Sequence, residues 1–293
     1  MDMASLKITE FTDAACPFAF SAEPARLKLR WLYGDQIEWQ PRMVVLSESP
    51  RDYVAKGFTP ERQSTALAQI RDRYGMPIDT RVRPRMMATV HACRAVVAAR
   101  LRAPDREQAL LRRLRIHAMA GELIDEPGVI ARAAREAGID PMTLFRAEAD
   151  DPAVEVALRE DMAAARAPSA AALALDHKLA PAAELGFRYT CPSYEIERMG
   201  DSGWPRFDVP GFQPVEVYEA AIANLAPELE RRPLAESAAD VLDWAGEPLA
   251  AAEVAAIRGV SIAEAEAELA TVTSQQGGWW SLPAVAGPDK IAA

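Results

Sequence analysis

A lone cysteine at a strand-to-helix junction constrains this chain more than any other feature. Residues 6–11 form a short apolar run that predicts a buried strand, and Thr12-Asp13 ends it. Cys16-Pro17 follows, and then a pattern over 20–33 that predicts a helix. Proline suits the first turn of a helix, where its missing N–H leaves no bond unmade. Cys16 is therefore expected near the N-cap, at the positive end of the helix dipole, a setting that favours thiolate over thiol. The plainer alternative is a small buried side chain in a tight turn, since free cysteine packs as a small hydrophobe.

Gly34-Asp35 stops that helix, and 37–46 predicts a second strand in which Pro41 marks an edge position or a bulge. The opening is thus β-α-β, which in a parallel pair needs a right-handed crossover. From Ser47 the character changes. Helices are expected over 60–74, 85–101, 105–121, 127–137, 140–149 and 154–166, with no convincing strand among them. A further helix is expected over 169–185. Then come Gly186, a short loop, the Cys191-Pro192 step and a strand to Ile196. Residues 203–211 supply a hairpin partner and a turn, and 214–225 an amphipathic helix with Val217, Ile222 and Leu225 on one side.

With the helical block set aside, the order β-α-β, α-β-β-α is an α/β thioredoxin-like unit. The strand ending in Thr12-Asp13 with Cys16-Pro17-Phe18 at the helix start resembles the DsbA-like thioredoxin family, in which a helical block interrupts the fold. Gly186 to Ile196 resembles that family's segment with a cis proline, here Pro192. Val209-Pro210-Gly211-Phe212-Gln213-Pro214 resembles its turn into the last helix. The match covers 5–226. The branch it looks most like is the cytoplasmic, FrnE-like one, neighbour to the 2-hydroxychromene-2-carboxylate isomerase and kappa-class glutathione transferase group. The division expected is a thioredoxin-like domain (1–48 and 169–230), a helical insertion (49–168) and a C-terminal module (231–293).

The resemblance implies thiol–disulfide oxidoreductase chemistry, with Cys16 as nucleophile and Pro17 and Ala19 completing the catalytic motif. Phe18, Thr190, Cys191 and Pro192 would shape the substrate site. Family members carry Cys-x-x-Cys, whose second thiol resolves the mixed disulfide. Here the fourth position is Ala19. Three readings stay open. In the first, Cys16 forms mixed disulfides with small thiols or proteins, and an external thiol completes turnover. In the second, Cys191 faces Cys16 across the site as a bonding partner; the preferred account of Cys191 is that it fills a slot that other members give to Val or Thr. In the third, the site binds and activates a small thiol as in the isomerases and transferases. A non-catalytic binding protein that keeps the fold is the rival class. No cofactor is implied; the partner is a low-molecular-weight thiol or a protein disulfide.

The rest of the sequence narrows the field. The 293 residues are 50% hydrophobic, with a net charge of -10, which argues against broad nucleic-acid or anionic-membrane binding. No apolar run approaches the roughly 20 residues of a membrane span, the first residues lack the pattern of a signal peptide, and a cytoplasmic protein is expected. Three cysteines, Cys16, Cys93 and Cys191, make no disulfide framework and no Cys-rich zinc site. Cys93 is expected buried and inert. His91, His117 and His177 lack metal-ligand spacing. Arg102, Arg106, Arg112, Arg113 and Arg115 are expected on the solvent face of a helix. Asp13 and Glu23 are near enough to Cys16 to oppose thiolate formation. The tail reads helix, helix, a Gly259-Val260-Ser261 turn, helix and an aromatic run at 279–282, the outline of a winged helix-turn-helix. Glu264, Glu266 and Glu268 on its second helix speak against DNA. The expectation is a helical packing module anchored by Trp279 and Trp280, folded onto the site or forming a homodimer contact.

Overall fold

The computed structural model describes residues 5–182, 186–199 and 206–283. Residues 183–185 of the expected helix and 203–205 of the expected hairpin lie outside the described residues. The chain opens with β1 (Leu6–Thr12), α1 (Pro17–Ser21), α2 (Glu23–Tyr33) and β2 (Ile37–Met43). Two helices stand where the periodicity predicts one. Pro24 falls in the first turn of α2 and has no N–H to give the turn before it, so the ladder restarts there. The helix behind Cys16 is consequently only five residues long.

The helical block follows as α3 (Pro50–Ala55), α4 (Pro60–Tyr74), α5 (Val90–Arg102), α6 (Glu107–Met119), α7 (Pro127–Glu136), α8 (Pro141–Asp150) and α9 (Pro152–Ala165). Five of these seven begin on a proline, where the ring fixes helical φ and forfeits no bond. The helix expected over 169–185 is instead a single turn, α10 (Ala170–Leu173), followed by β3 (Ala180–Ala182) paired antiparallel with β4 (Gly186–Arg188). Pro181 bars helix there, and a short strand tolerates it. Then come β5 (Ser193–Arg198), β6 (Arg206–Val209) and α11 (Val215–Leu225).

The main sheet runs β2-β1-β5-β6. β2 is parallel to β1; β5 is antiparallel to β1, and β6 to β5. Pro41 thus sits on an edge strand. The β1/β5 register sets Phe11 opposite Ser193. That pairing brings the exit of β1, and so Cys16, beside the loop that leads into β5. With its sheet order and the helical block inserted after β2, the fold is the thioredoxin-like one that the sequence resembles.

The tail forms α12 (Ala238–Ala245), β7 (Leu249–Ala250), α13 (Ala251–Arg258), α14 (Ile262–Val272), β8 (Ser274–Gln276) and β9 (Trp279–Ser281). Ser261 and Glu264 make the capping box that starts α14. Leu242, Leu249, Val254, Ile257 and Trp280 share one buried cluster with Leu27, Trp31 and Leu32 of α2 and Ile8 of β1. Trp279 meets Phe20 of α1 edge-on, ring centroids 6.2 Å apart. The tail therefore covers the face of the α/β unit that α2 presents.

Two of the arginines expected on the solvent face are buried. Arg115 is 1% exposed and Arg112 is 4%. Arg115 donates to Glu10 at 2.6 Å and also bonds Glu23 and Thr12. Arg112 donates to Glu253 of α13 at 2.7 Å and its Nε lies 2.8 Å from Glu247. Arg26 completes the cluster against Glu10 and Glu23. The α6 residues at 112 and 115 share the face that turns toward the sheet, and carboxylates from three other elements receive them. Spacing along α6 is silent about those carboxylates, which is why the sequence reads the two arginines as solvated.

Candidate active site

The turn that carries Cys16 is fixed by a buried carboxylate. Asp13 Oδ1 accepts from the Ala15 N–H at 2.8 Å; Oδ2 accepts from the Leu46 N–H at 2.9 Å and the Thr89 hydroxyl at 2.7 Å. One side chain thereby ties the exit of β1 to the exit of β2 and to the start of α5. The Cys93 thiol adds a contact to Asp13 Oδ2 at 3.5 Å. Burial, and then the Asp13 charge, push that thiol well above its ordinary value, so Cys93 is an inert packing residue. Glu23, the second carboxylate expected beside Cys16, is turned away into the arginine cluster.

Cys16 is the N-cap of α1 and is 5% exposed. Its Sγ lies 3.2 Å from the Cys191 carbonyl oxygen. A hydrogen bond with the Cys191 side chain lowers the Cys16 thiol below its ordinary value; burial opposes this, the Ala19 N–H assists, the Asp13 charge opposes and the Phe18 N–H assists. A helix as short as α1 has little macrodipole, so the stabilising agents are these individual donors. Cys191 moves the other way. Burial raises its thiol, and sharing the site with Cys16 raises it further.

The opposing loop is equally well held. The Cys191–Pro192 peptide is cis. The Thr190 hydroxyl donates to the Lys178 carbonyl at 2.9 Å, and the Ser193 hydroxyl donates to the Thr190 carbonyl at 2.8 Å. Gly211 N–H donates in turn to Ser193 Oγ at 2.9 Å. Gly211 has φ +72°, and a Cβ there would stand 3.3 Å from the Lys178 carbonyl oxygen, so the turn expected into the last helix requires glycine.

Between these walls lies a cleft of about 460 Å³. Cys16, Pro17 and Phe18 line one side, Thr190 and Cys191 the other, and Tyr53 and Phe58 of the helical block roof it. Of the residues singled out from the sequence, those five meet in the cleft. Ala19 and Pro192 do not line it: Ala19 is packed beneath, in a cluster with Phe11, Val44 and Tyr189, and acts on the site through its backbone N–H.

The charge of the cleft has no counterpart in the local sequence pattern. Arg83, Lys178 and Arg188 line it, together with His177, and no carboxylate does among the described residues. Arg83 is 5% exposed, bonds the Ala118 carbonyl and, at 3.5 Å, Gln63, and its Nε has no partner. Among the described residues none of the three cations has a carboxylate within ion-pair distance, in a chain whose net charge is -10. Arg83 follows α4 in a segment without periodicity, and no local signal marks it as a lining residue.

A β-α-β opening, an antiparallel return led by a cis proline, and a thiol at the first helix define a thioredoxin-like protein. Residues 7–170 match the DSBA-like thioredoxin domain, and the chain belongs to that family. No curated protein matches it. Solved structures share the fold, among them the following three. A protein of Nitrosomonas europaea named as a protein disulfide isomerase is 14% identical, with 75% of this chain and 97% of that one covered and a TM-score of 0.55. A probable DsbA oxidoreductase of Streptomyces coelicolor is 19% identical, covering 78% and 93%, TM-score 0.50. The cytosolic disulfide reductase DsbM of Pseudomonas aeruginosa is 14% identical, covering 75% and 100%, TM-score 0.50. No helix among the described residues is long and apolar enough to cross a membrane.

Proposed function

We propose that the chain is a thiol–disulfide oxidoreductase whose nucleophile is Cys16, acting on small anionic thiols and disulfides. The observation that carries this reading is a thiol at a helix N-cap opening into a cleft with three unpaired cations and, among the described residues, no lining carboxylate. The Cys16 thiolate attacks a disulfide R–S–S–R′; the Cys16–S–S–R bond forms, the S–S bond breaks, and R′S⁻ leaves. A second small thiolate then attacks the mixed disulfide and regenerates Cys16. Arg83, Lys178 and Arg188 hold the carboxylates of such a substrate, because Arg and Lys charges in a partly desolvated wall favour anions. Thr190 and Cys191 bound the groove for the sulfurs, with Phe18 at its rim.

Steady-state reduction of an anionic disulfide such as glutathione disulfide, against a neutral disulfide such as hydroxyethyl disulfide, tests the reading. Cys16→Ser is expected to abolish turnover of both. Lys178→Ala with Arg188→Ala is expected to raise KM for the anionic disulfide by roughly tenfold, the effect of about 1.4 kcal/mol of lost binding, and to leave the neutral one unchanged. Equal effects on both disulfides would remove the charge argument; full activity in Cys16→Ser would remove the nucleophile.

A further inference from the structure

We propose that Cys191 is the second thiol of this site, attacking the mixed disulfide on Cys16 and closing a Cys16–Cys191 disulfide across the cleft. The proposal rests on the reading of Cys16 as nucleophile. Three observations lead to it. The position that would carry a second thiol on the helix is Ala19. Cys93 is sealed behind the Asp13 turn and does not line the cleft. Cys191 does line it, with its carbonyl oxygen 3.2 Å from Cys16 Sγ. The β1/β5 register and the Thr190–Ser193–Gly211 bonds hold the two cysteines in that relation.

The step balances without a further reactant. In Cys16–S–S–R the Cys16 charge is gone and Cys191 has lost the thiolate it faced. The Cys191 sulfur attacks Cys16 Sγ; a Cys16–S–S–Cys191 bond forms and the bond to R breaks. RS⁻ departs and takes the Cys191 proton, leaving as RSH. Both cysteines are then oxidised and the substrate sulfur is reduced. Two small thiols reduce the pair again, leaving as their own disulfide. The Arg188 guanidinium favours the Cys191 thiolate during attack.

Titration with one equivalent of 5,5′-dithiobis(2-nitrobenzoate) per chain, followed by peptide mass mapping, reads the step directly. Wild-type protein is expected to release two thionitrobenzoate anions, retain no adduct and yield a Cys16–Cys191 cross-linked peptide. Cys191→Ser and Cys191→Ala, each first shown to melt cooperatively, are expected to release one anion and keep the adduct on Cys16, with a lifetime lengthened by roughly tenfold or more. A wild-type adduct on Cys16 as long-lived as in those variants, or a cross-link to Cys93 instead, would overturn the role of Cys191 and leave Cys16 standing. Fast release from Cys16→Ser would overturn the underlying reading itself.

Discussion

At the scale of single residues, Cys16 is governed by a handful of donors. Two of them, the Phe18 and Ala19 N–H groups, belong to the backbone and survive any side-chain change. The third is the Cys191 thiol, and it can be removed. Cys191→Ala is therefore expected to raise the pH at which Cys16 is half-alkylated, and Asp13→Asn to lower it by removing an opposing charge, at a cost in stability because Asp13 accepts three hydrogen bonds. Iodoacetamide rates against pH check both directions. The place of Cys16 was legible in the sequence because capping is local: Pro17 marks the first turn, whatever the rest of the fold does. Arg83 was illegible for the opposite reason. Its lining role arises from where α4 and the strands come together, and nothing within a few residues of it encodes that.

At the scale of elements, the buried ion cluster joins β1, α2, α6 and the tail helix α13. Burial would raise the Glu23 carboxyl, but Arg115, Arg26 and Arg112 overcome it and hold it at about 2, against 4.5 unperturbed. A carboxyl lowered on folding contributes stability that is complete above its unfolded value and is lost as pH falls toward its folded one. The Glu23 share is thus expected to fade between pH 4.5 and about 2. Glu23→Gln is expected to cost about 3–5 kcal/mol at neutral pH, the usual penalty for leaving buried charges uncompensated. Urea midpoints of wild type and variant should converge as the pH approaches 2. A constant gap over that range would show that the pairing is not what stabilises the cluster. Sequence pattern placed α4 and the start of α9 within a residue or two. It failed at the α1/α2 break and at 169–185, where Pro24 and Pro181 each override an otherwise helical run.

At the scale of the whole molecule, the tail is part of what makes the α/β unit a folded body. It covers Leu27, Trp31 and Leu32, none of which is more than 4% exposed. Ending the chain at residue 230 uncovers them, and the shortened protein is expected to lose its cooperative melt or to aggregate; an unchanged melting temperature would contradict that role. The tail lines no part of the cleft among the described residues; the sequence outline of a small helical module holds its three helices and aromatic run but neither β7 and β8 nor its station. Element order survives in a linear pattern, whereas the face on which a segment docks depends on buried partners such as Glu253 with Arg112, which lie far apart along the chain.

The rate of Cys16 alkylation as a function of pH, on native protein with each labelled cysteine located by mass spectrometry, decides whether Cys16 is the nucleophile. A half-rate point for Cys16 below the free-thiol value of about 8.5 is expected, with Cys93 unlabelled throughout. A half-rate point at or above that value would make Cys16 an ordinary buried thiol and would contradict its assignment as the nucleophile.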